Sequence, residues 1–485
     1  MKWLCLVLVS LPHLFAVLNP YKVNLELLLQ EPSSGAYSKK DAISVEELWL
    51  PQKVDHFDAL NNQTWQMRYY RNGKYHRNRG PIFIFVGGEW SISPGFLVTG
   101  LTHDMAVENA GMLFYTEHRY YGPSLPHGEQ SFQLDQLQHL SIHQSLADLA
   151  HFIRFQKAEN PRLRQSKVIL VGGSYSGSMV AWMTQLYPDL IAASWASSAP
   201  LLAKADFYEY MEAVSHSIRL SYGHNCTTRI QKGLYHLAKL FDENEILELL
   251  QKLNSCEDYD PNDPLDRAAF FNGLGNYFAL IVQSYSSYIS QLCETLMSLN
   301  SNDEEAFESF LELLFAEGRR STDCQDFSYK AMLQLFSDPI SGIRAWFYQT
   351  CNEFGWYTTT ERTNQSSTST SAPTFANQVP LSYYERLCLD AFGPEQTPER
   401  LALGIEQTNN HFGGFQFNQS ERYGEVFFTH GQLDPWRSLG KQKGNQAIVL
   451  RGYSHCEDLG GIQVRDSVQM NLAKLRVMSF LRRHI

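Results

Sequence analysis

The stretch "KVILVGGSYSGSMVAWMTQLYPDL" (Lys167–Leu190) runs from apolar, β-branched residues through a Gly/Ser knot into helical periodicity. That order predicts a strand, a tight turn and a helix, with Ser174 at the apex. An elbow of this kind lifts a serine oxygen above the sheet edge, and small neighbours let strand and helix pass closely. Here it reads Gly172-Gly173-Ser174-Tyr175-Ser176-Gly177. The G-x-S-x-G form is met at its first glycine and its serine, and is broken where Ser176 replaces the last glycine. Taken alone, the segment also fits a tight βα turn with a capping serine.

A serine hydroxyl is a poor nucleophile at neutral pH. It needs a base to take its proton, an acid to orient that base, and donors for the oxyanion. On an elbow scaffold the acid and then the histidine follow at the ends of later strands. Asp434 follows the strand-like "EVFF" in "GEVFFTHGQLDPW", and His455 follows "AIVL" in "NQAIVLRGYSHCEDL". The two are 455 − 434 = 21 residues apart, about one helix-plus-strand unit, while Ser174 and Asp434 are 434 − 174 = 260 apart. Each alone reads as a loop residue; their joint placement points to a Ser-His-Asp triad.

The intervening texture explains the long gap. Strand candidates "PIFIFVGGEW" (81–90), "AGMLFYTEHRYYG" (110–122), 168–171 and "LIAASWASSAP" (190–200) alternate with the amphipathic "SLADLAHFIRFQKAEN" (145–160). This predicts an α/β fold on a mostly parallel sheet. Residues 205–404 carry helical period, acidic faces and six cysteines, predicting a mainly helical, disulfide-stapled insertion between nucleophile and acid. The polar Ser/Thr-rich run 358–375 inside it reads as an exposed loop. The expected organisation is a 1–18 leader, core at 50–204 and 405–485, the cap at 205–404, and a closing helix near 463–483.

Composition bounds the partners. The net charge is −11 and no Lys/Arg block occurs, which argues against nucleic acid. The apolar N-terminal run behind Lys2 is too short for a span and suits a secretory signal peptide, and no later stretch is long enough to cross a membrane. Without Cys5, seven cysteines remain, so one thiol is left over; their spacing lacks CxxC pairs, favouring disulfides over a metal site. Sequons at Asn62, Asn225, Asn364 and Asn418 agree with a secretory, glycosylated chain. The chemistry calls for no cofactor and no metal.

"GGSYSG", "EHRYYGPSLP", "HGQLDPW" and "GYSHCEDL" resemble the prolyl-carboxypeptidase/dipeptidyl peptidase II family of serine peptidases, from about Val54 onward. "SHC" and "CNEFGWY" (351–357) point to its thymus-specific branch. The resemblance implies an α/β-hydrolase core with a helical cap and cleavage of small peptides beside proline, often at acidic pH, in secreted or lysosomal/endosomal settings. It implies Ser174 as nucleophile, Asp434 as orienting acid and His455 as base. The backbone N–H of Tyr175 and a donor at Gly88 would form the oxyanion hole. Trp436 would wall the proline pocket and Glu89 would meet a substrate amine. It also implies disulfides Cys226–Cys293, Cys256–Cys324 and Cys351–Cys388, leaving Cys456 free beside the base.

Three departures stand against the family pattern: Ser176 at the elbow, Ser178 where some relatives carry methionine, and "GGEWSIS" for an acidic loop. They leave the trimmed end of the peptide open. A Glu117–Arg119 pair under the site is a further expectation. A lipase or esterase, or a non-catalytic peptide-binding protein on the same fold, are the competing readings. Whether the chain acts alone or as a homodimer stays open at this level.

Overall fold

The computed structural model describes residues 29–485 except 78, 300–301, 317–323, 339–341, 362–372 and 418–424. The 1–18 leader, Asn364, Asn418 and most of the 358–375 run lie outside the described residues; Asn62 and Asn225 are exposed. The chain divides into two compact units. One holds the sheet: Leu29–Lys204, Pro339–Gly355 and Pro398–Ile485. The other comprises Ala205–Asp338 and Trp356–Thr397 among its described residues.

In the sheet unit the strands are β1 (Glu46–Lys53), β2 (Thr64–Asn72), β3 (Ile82–Val86), β4 (Met112–Thr116), β5 (Val168–Gly173), β6 (Ala193–Ser197), β7 (Glu425–Gly431) and β8 (Ala447–Leu450). They form one sheet in the order β1-β2-β4-β3-β5-β6-β7-β8. The β1–β2 and β2–β4 pairs are antiparallel, and every pair from β4 through β3 to β8 is parallel. This is the order of an α/β-hydrolase sheet. IFIFV, MLFYT and ASWAS are buried at every position, as strands covered on both faces must be. β1 and β2 escape the sequence reading because they alternate buried with exposed residues at the sheet's antiparallel edge.

Helices α1 (Leu101–Glu108), α2 (Ile142–Glu159), α3 (Tyr175–Leu186), α4 (Gly342–Gln349), α5 (Pro398–Phe412) and α6 (Val468–Arg482) belong to the same unit. Ser141 caps α2 by accepting from Gln144 N–H, and Ser467 caps α6 through Met470 N–H. One core cluster joins Phe83, Phe85, Phe96, Val171, Trp195, Val477 and Met478 across strands and helices. Burying each such side chain contributes roughly 1.5–3 kcal/mol.

The second unit is almost entirely helical. Its longest helix, Pro264–Ser284, starts with Asp263 capping Leu265 N–H and proline in the first turn, where a missing N–H costs nothing. Phe241, Phe270, Phe271 and Phe327 cluster inside it, three of the four ring pairs edge to face and Phe241–Phe271 tilted. Disulfides join Cys226 to Cys293 and Cys256 to Cys324. Cys351 and Cys388 are disulfide-bonded too, and Cys456 is free and buried.

Candidate active site

β5 ends at Gly173 and α3 begins at Tyr175, so Ser174 alone makes the turn. It does so at φ 58° and ψ −133°, a costly backbone for a residue with a Cβ. The turn is held from inside. Ser174 N–H donates to Ser197 O at 2.9 Å. The Ser176 hydroxyl accepts from Gly173 N–H at 3.0 Å and donates to Gly173 O at 2.9 Å. Ser176 therefore staples the elbow instead of crowding it. The tight approach lies elsewhere: a Cβ on Gly172 would stand 2.3 Å from Ser176 O.

The acid and the histidine leave neighbouring strand ends. Asp434 follows β7 and is fully buried. Its Oδ1 accepts from Trp436 N–H at 3.0 Å and from His455 Nδ1 at 2.9 Å. The His455 loop follows β8 and crosses the end of β7, where Gly431 makes room: a Cβ there would stand 2.3 Å from Ser454 O. Burial disfavours both charges, but each favours the other. The Asp434 pKa is held below the usual carboxylate range, and His455 is held well above the usual histidine value by Asp434 despite burial. His455 Nε2 is buried and without a hydrogen-bond partner among the described residues.

The end of β6 ties this pair to the elbow. Ser197 O holds Ser174 N–H, while Ser198 Oγ accepts from Cys456 N–H at 2.9 Å. Cys456 Sγ borders Gly173, at 3.0 Å from where its Cβ would be. Ser174, Ser198 and Cys456 all have positive φ, so backbone strain gathers where these three chain segments meet. Ser197 Oγ in turn donates to the buried Asp458 at 2.5 Å.

The residues expected on the substrate side lie on loops. Gly87 N–H still donates to Thr116 O, and Gly88 and Glu89 then leave β3. Glu89 is buried, with Oε2 unpartnered among the described residues. Burial pushes its pKa up to about 7, against the pull of nearby His455. Trp90 donates to Tyr115 Oη at 2.8 Å, which fixes the turn of the loop. The Trp436 ring is half-buried, with its centroid 6.4 Å from that of His455. Tyr175, first residue of α3, has a backbone N–H that no turn of its own helix can satisfy.

The family profile Serine carboxypeptidase S28 matches residues 52–477. The chain belongs to the S28 family of serine carboxypeptidases. It is 28% identical to the thymus-specific serine protease of Mus musculus over 88% of this chain and 85% of that one. It is 26% identical to the lysosomal Pro-X carboxypeptidase of Bos taurus over 96% and 94%. Among solved structures, epoxide hydrolase A of Mycobacterium thermoresistibile aligns over 90% of this chain and 98% of its own, at 13% identity and TM-score 0.35.

This S28 peptidase departs from the sequence reading beneath the site. Glu117 and Arg119 do not pair. Glu117 takes Arg68 in a bidentate contact of 2.6 and 3.1 Å, and also accepts from Ile92 N–H and Ser124 Oγ. It thereby fixes the loop that carries Gly88 and Glu89. Arg119 is fully buried and grips Asp148 at 2.7 and 2.8 Å, with its remaining donors on Val54 O, His139 O and Lys53 O. Sequence reasoning also missed Ser197, Ser198 and Asp458. The only trace of them is the serine pair ending "ASWASS" and the acid after "SHCE".

Proposed function

We propose that this S28 serine peptidase is an exopeptidase that cleaves small peptides beside proline through an acyl-enzyme on Ser174. The 2.9 Å Asp434–His455 hydrogen bond carries the reading. It commits Nδ1 as donor and leaves the buried Nε2 to take a proton once His455 is in its neutral form, against the imidazolium that Asp434 favours. Ser174 Oγ attacks the scissile carbonyl carbon as Nε2 takes the hydroxyl proton. The N–H groups of Tyr175 and Gly88 receive the oxyanion. Collapse breaks the C–N bond, and Nε2 returns its proton to the leaving amine. Water then repeats the sequence on the acyl-enzyme and frees the carboxylate. Asp434 stays ionised and supports the imidazolium.

Proline preference rests on the Pro-X carboxypeptidase relatives and on the flat Trp436 ring beside His455. Glu89 is the candidate anchor for a substrate amine, since an ammonium partner would stabilise its ionised form. The disulfides fit a secretory route, and no helix of the described residues is long and apolar enough to cross a membrane. Lysosomal delivery follows the name of the bovine relative.

The test is product analysis on proline-containing peptides blocked at either end, with Ser174→Ala as control. Cleavage at one proline-adjacent bond, stopped by one terminal block and abolished in Ser174→Ala, is expected. Cleavage indifferent to both blocks overturns the exopeptidase reading. Turnover surviving in Ser174→Ala overturns the mechanism.

A further inference from the structure

His118, Tyr121, Tyr175 and Gln349 form a buried polar chain whose proton positions follow one another from a single fixed point. His118 Nδ1 lies 2.6 Å from Arg119 O, which can only accept, so Nδ1 carries the hydrogen. Burial keeps His118 neutral, with its pKa pushed down to about 4, and Nε2 is therefore an acceptor. Tyr175 Oη, 3.2 Å away, donates to it. That spends the phenol's only proton, so the contact at 3.1 Å must run from Gln349 Nε2–H to Tyr175 Oη. Gln349 Oε1 then accepts from Tyr121 Oη at 2.8 Å. Each of these contacts then has one direction, and Gln349 also meets the buried Glu353 carboxyl.

On the proposed mechanism, Tyr175 carries a backbone N–H that receives the oxyanion. Its ring packs against Trp346 and Phe354, centroids 5.6 and 5.3 Å away, and its hydroxyl is held from both sides. A phenol fixed at its far end by two opposed hydrogen bonds, with its ring wedged, cannot swing, and the backbone at its near end is fixed with it. This matters because the preceding residue, Ser174, sits at a strained φ of 58°, from which relaxation would turn the Tyr175 N–H away. We propose that His118 and Gln349 are positioning residues for the oxyanion hole, acting through the Tyr175 hydroxyl on the Tyr175 backbone N–H. The role of "EHRYYG" then becomes definite: Glu117 holds the loop bearing one donor, and His118 and Tyr121 hold the residue bearing the other.

The proposal rests on the triad reading above, so the experiment separates the two. Fluorophosphonate titration counts competent Ser174 in parent, Tyr175→Phe, Gln349→Leu and His118→Gln; a parent that takes no label sinks the triad reading itself. For labelled proteins, kcat and KM per titrated site are compared with the affinity for a peptidyl boronic acid, which mimics the tetrahedral oxyanion. Losing a whole oxyanion donor costs about 10²–10³ in kcat, so a mis-set one is expected to cost about tenfold or more. Tyr175→Phe and Gln349→Leu should lose that in kcat with KM little changed, and lose boronate affinity by the same factor. His118→Gln, which keeps an acceptor for the phenol, should recover most of it. A merely structural role lowers the titrated fraction without moving kcat per site. Unchanged kcat per site, or a loss confined to KM with boronate affinity intact, overturns the proposal. Should Tyr175→Phe not fold, Gln349→Leu, which lies outside the elbow, decides it alone.

Discussion

Restoring the usual glycine at the elbow should weaken this protein. Ser176→Gly completes G-x-S-x-G, and the family pattern taken alone says it should do no harm. The structure says otherwise, because the fully buried Ser176 hydroxyl bridges Gly173 N–H and Gly173 O at 3.0 and 2.9 Å. Removing it leaves groups buried under the turn without that partner, at about 1–3 kcal/mol. Glycine in the first turn of α3 adds a few tenths, since it lies about 1 kcal/mol below alanine in helix propensity and serine about half that. Together the cost is roughly 1.5–3.5 kcal/mol. Ser176→Ala isolates the hydroxyl term, because alanine favours the helix. Thermal unfolding of both variants beside the parent is the assay, with fluorophosphonate titration to count competent sites. Both should melt lower, glycine lower than alanine, and relief of the strained Ser174 backbone should slow labelling. A Ser176→Gly protein as stable as the parent would refute the staple, and with it the claim that this chain's departure from the pattern is compensated inside the turn.

Other perturbations probe separate links. Asp434→Asn keeps the shape but reverses the donor at His455 Nδ1, so kcat should drop by about 10⁴ with KM little altered; a loss of less than tenfold in steady-state assays would remove Asp434 from the mechanism. Asp148→Asn leaves the fully buried Arg119 without its counter-charge and should cost roughly 3–5 kcal/mol, read as a large fall in melting temperature; an unchanged melt would mean the carbonyls of Lys53, Val54 and His139 suffice. Glu89 titrates near 7 when folded and at its ordinary 4.5 when unfolded, so the folded state holds the extra proton. That stabilisation is complete below the unfolded value and fades as pH rises to 7 and beyond, by up to roughly 3 kcal/mol at 1.36 per pKa unit. Glu89→Gln should therefore gain on the parent in stability between pH 4 and pH 8, and a constant difference between the two melts across that range would exclude a buried neutral Glu89.

What could be read in advance, and what could not, divides along the range of the interactions. Ser174, Asp434 and His455 each end a strand that announces itself locally, and catalysis needs no more than that order to be recognised. The fully buried runs around them are visible for the same reason. β1 and β2 were not, because "EELWLPQK" and "TWQMRYYRN" alternate with solvent and carry a proline and several charges. The mispairing of Glu117 followed from that omission. Its partner Arg68 lies on β2, and Glu117 N–H donates to Arg68 O as its cross-strand neighbour. With β2 unseen, the nearest basic residue in sequence stood in for the nearest in space. Gln349 is further out of reach, 174 residues from Tyr175 with the helical unit's first segment between them. No periodicity or motif links the two, since a hydrogen bond to a side chain constrains only where an element ends up. The candidate triad was legible because the order of its members along the chain is dictated by the fold's topology, whereas the groups packed around it are fixed by packing and appear only in three dimensions.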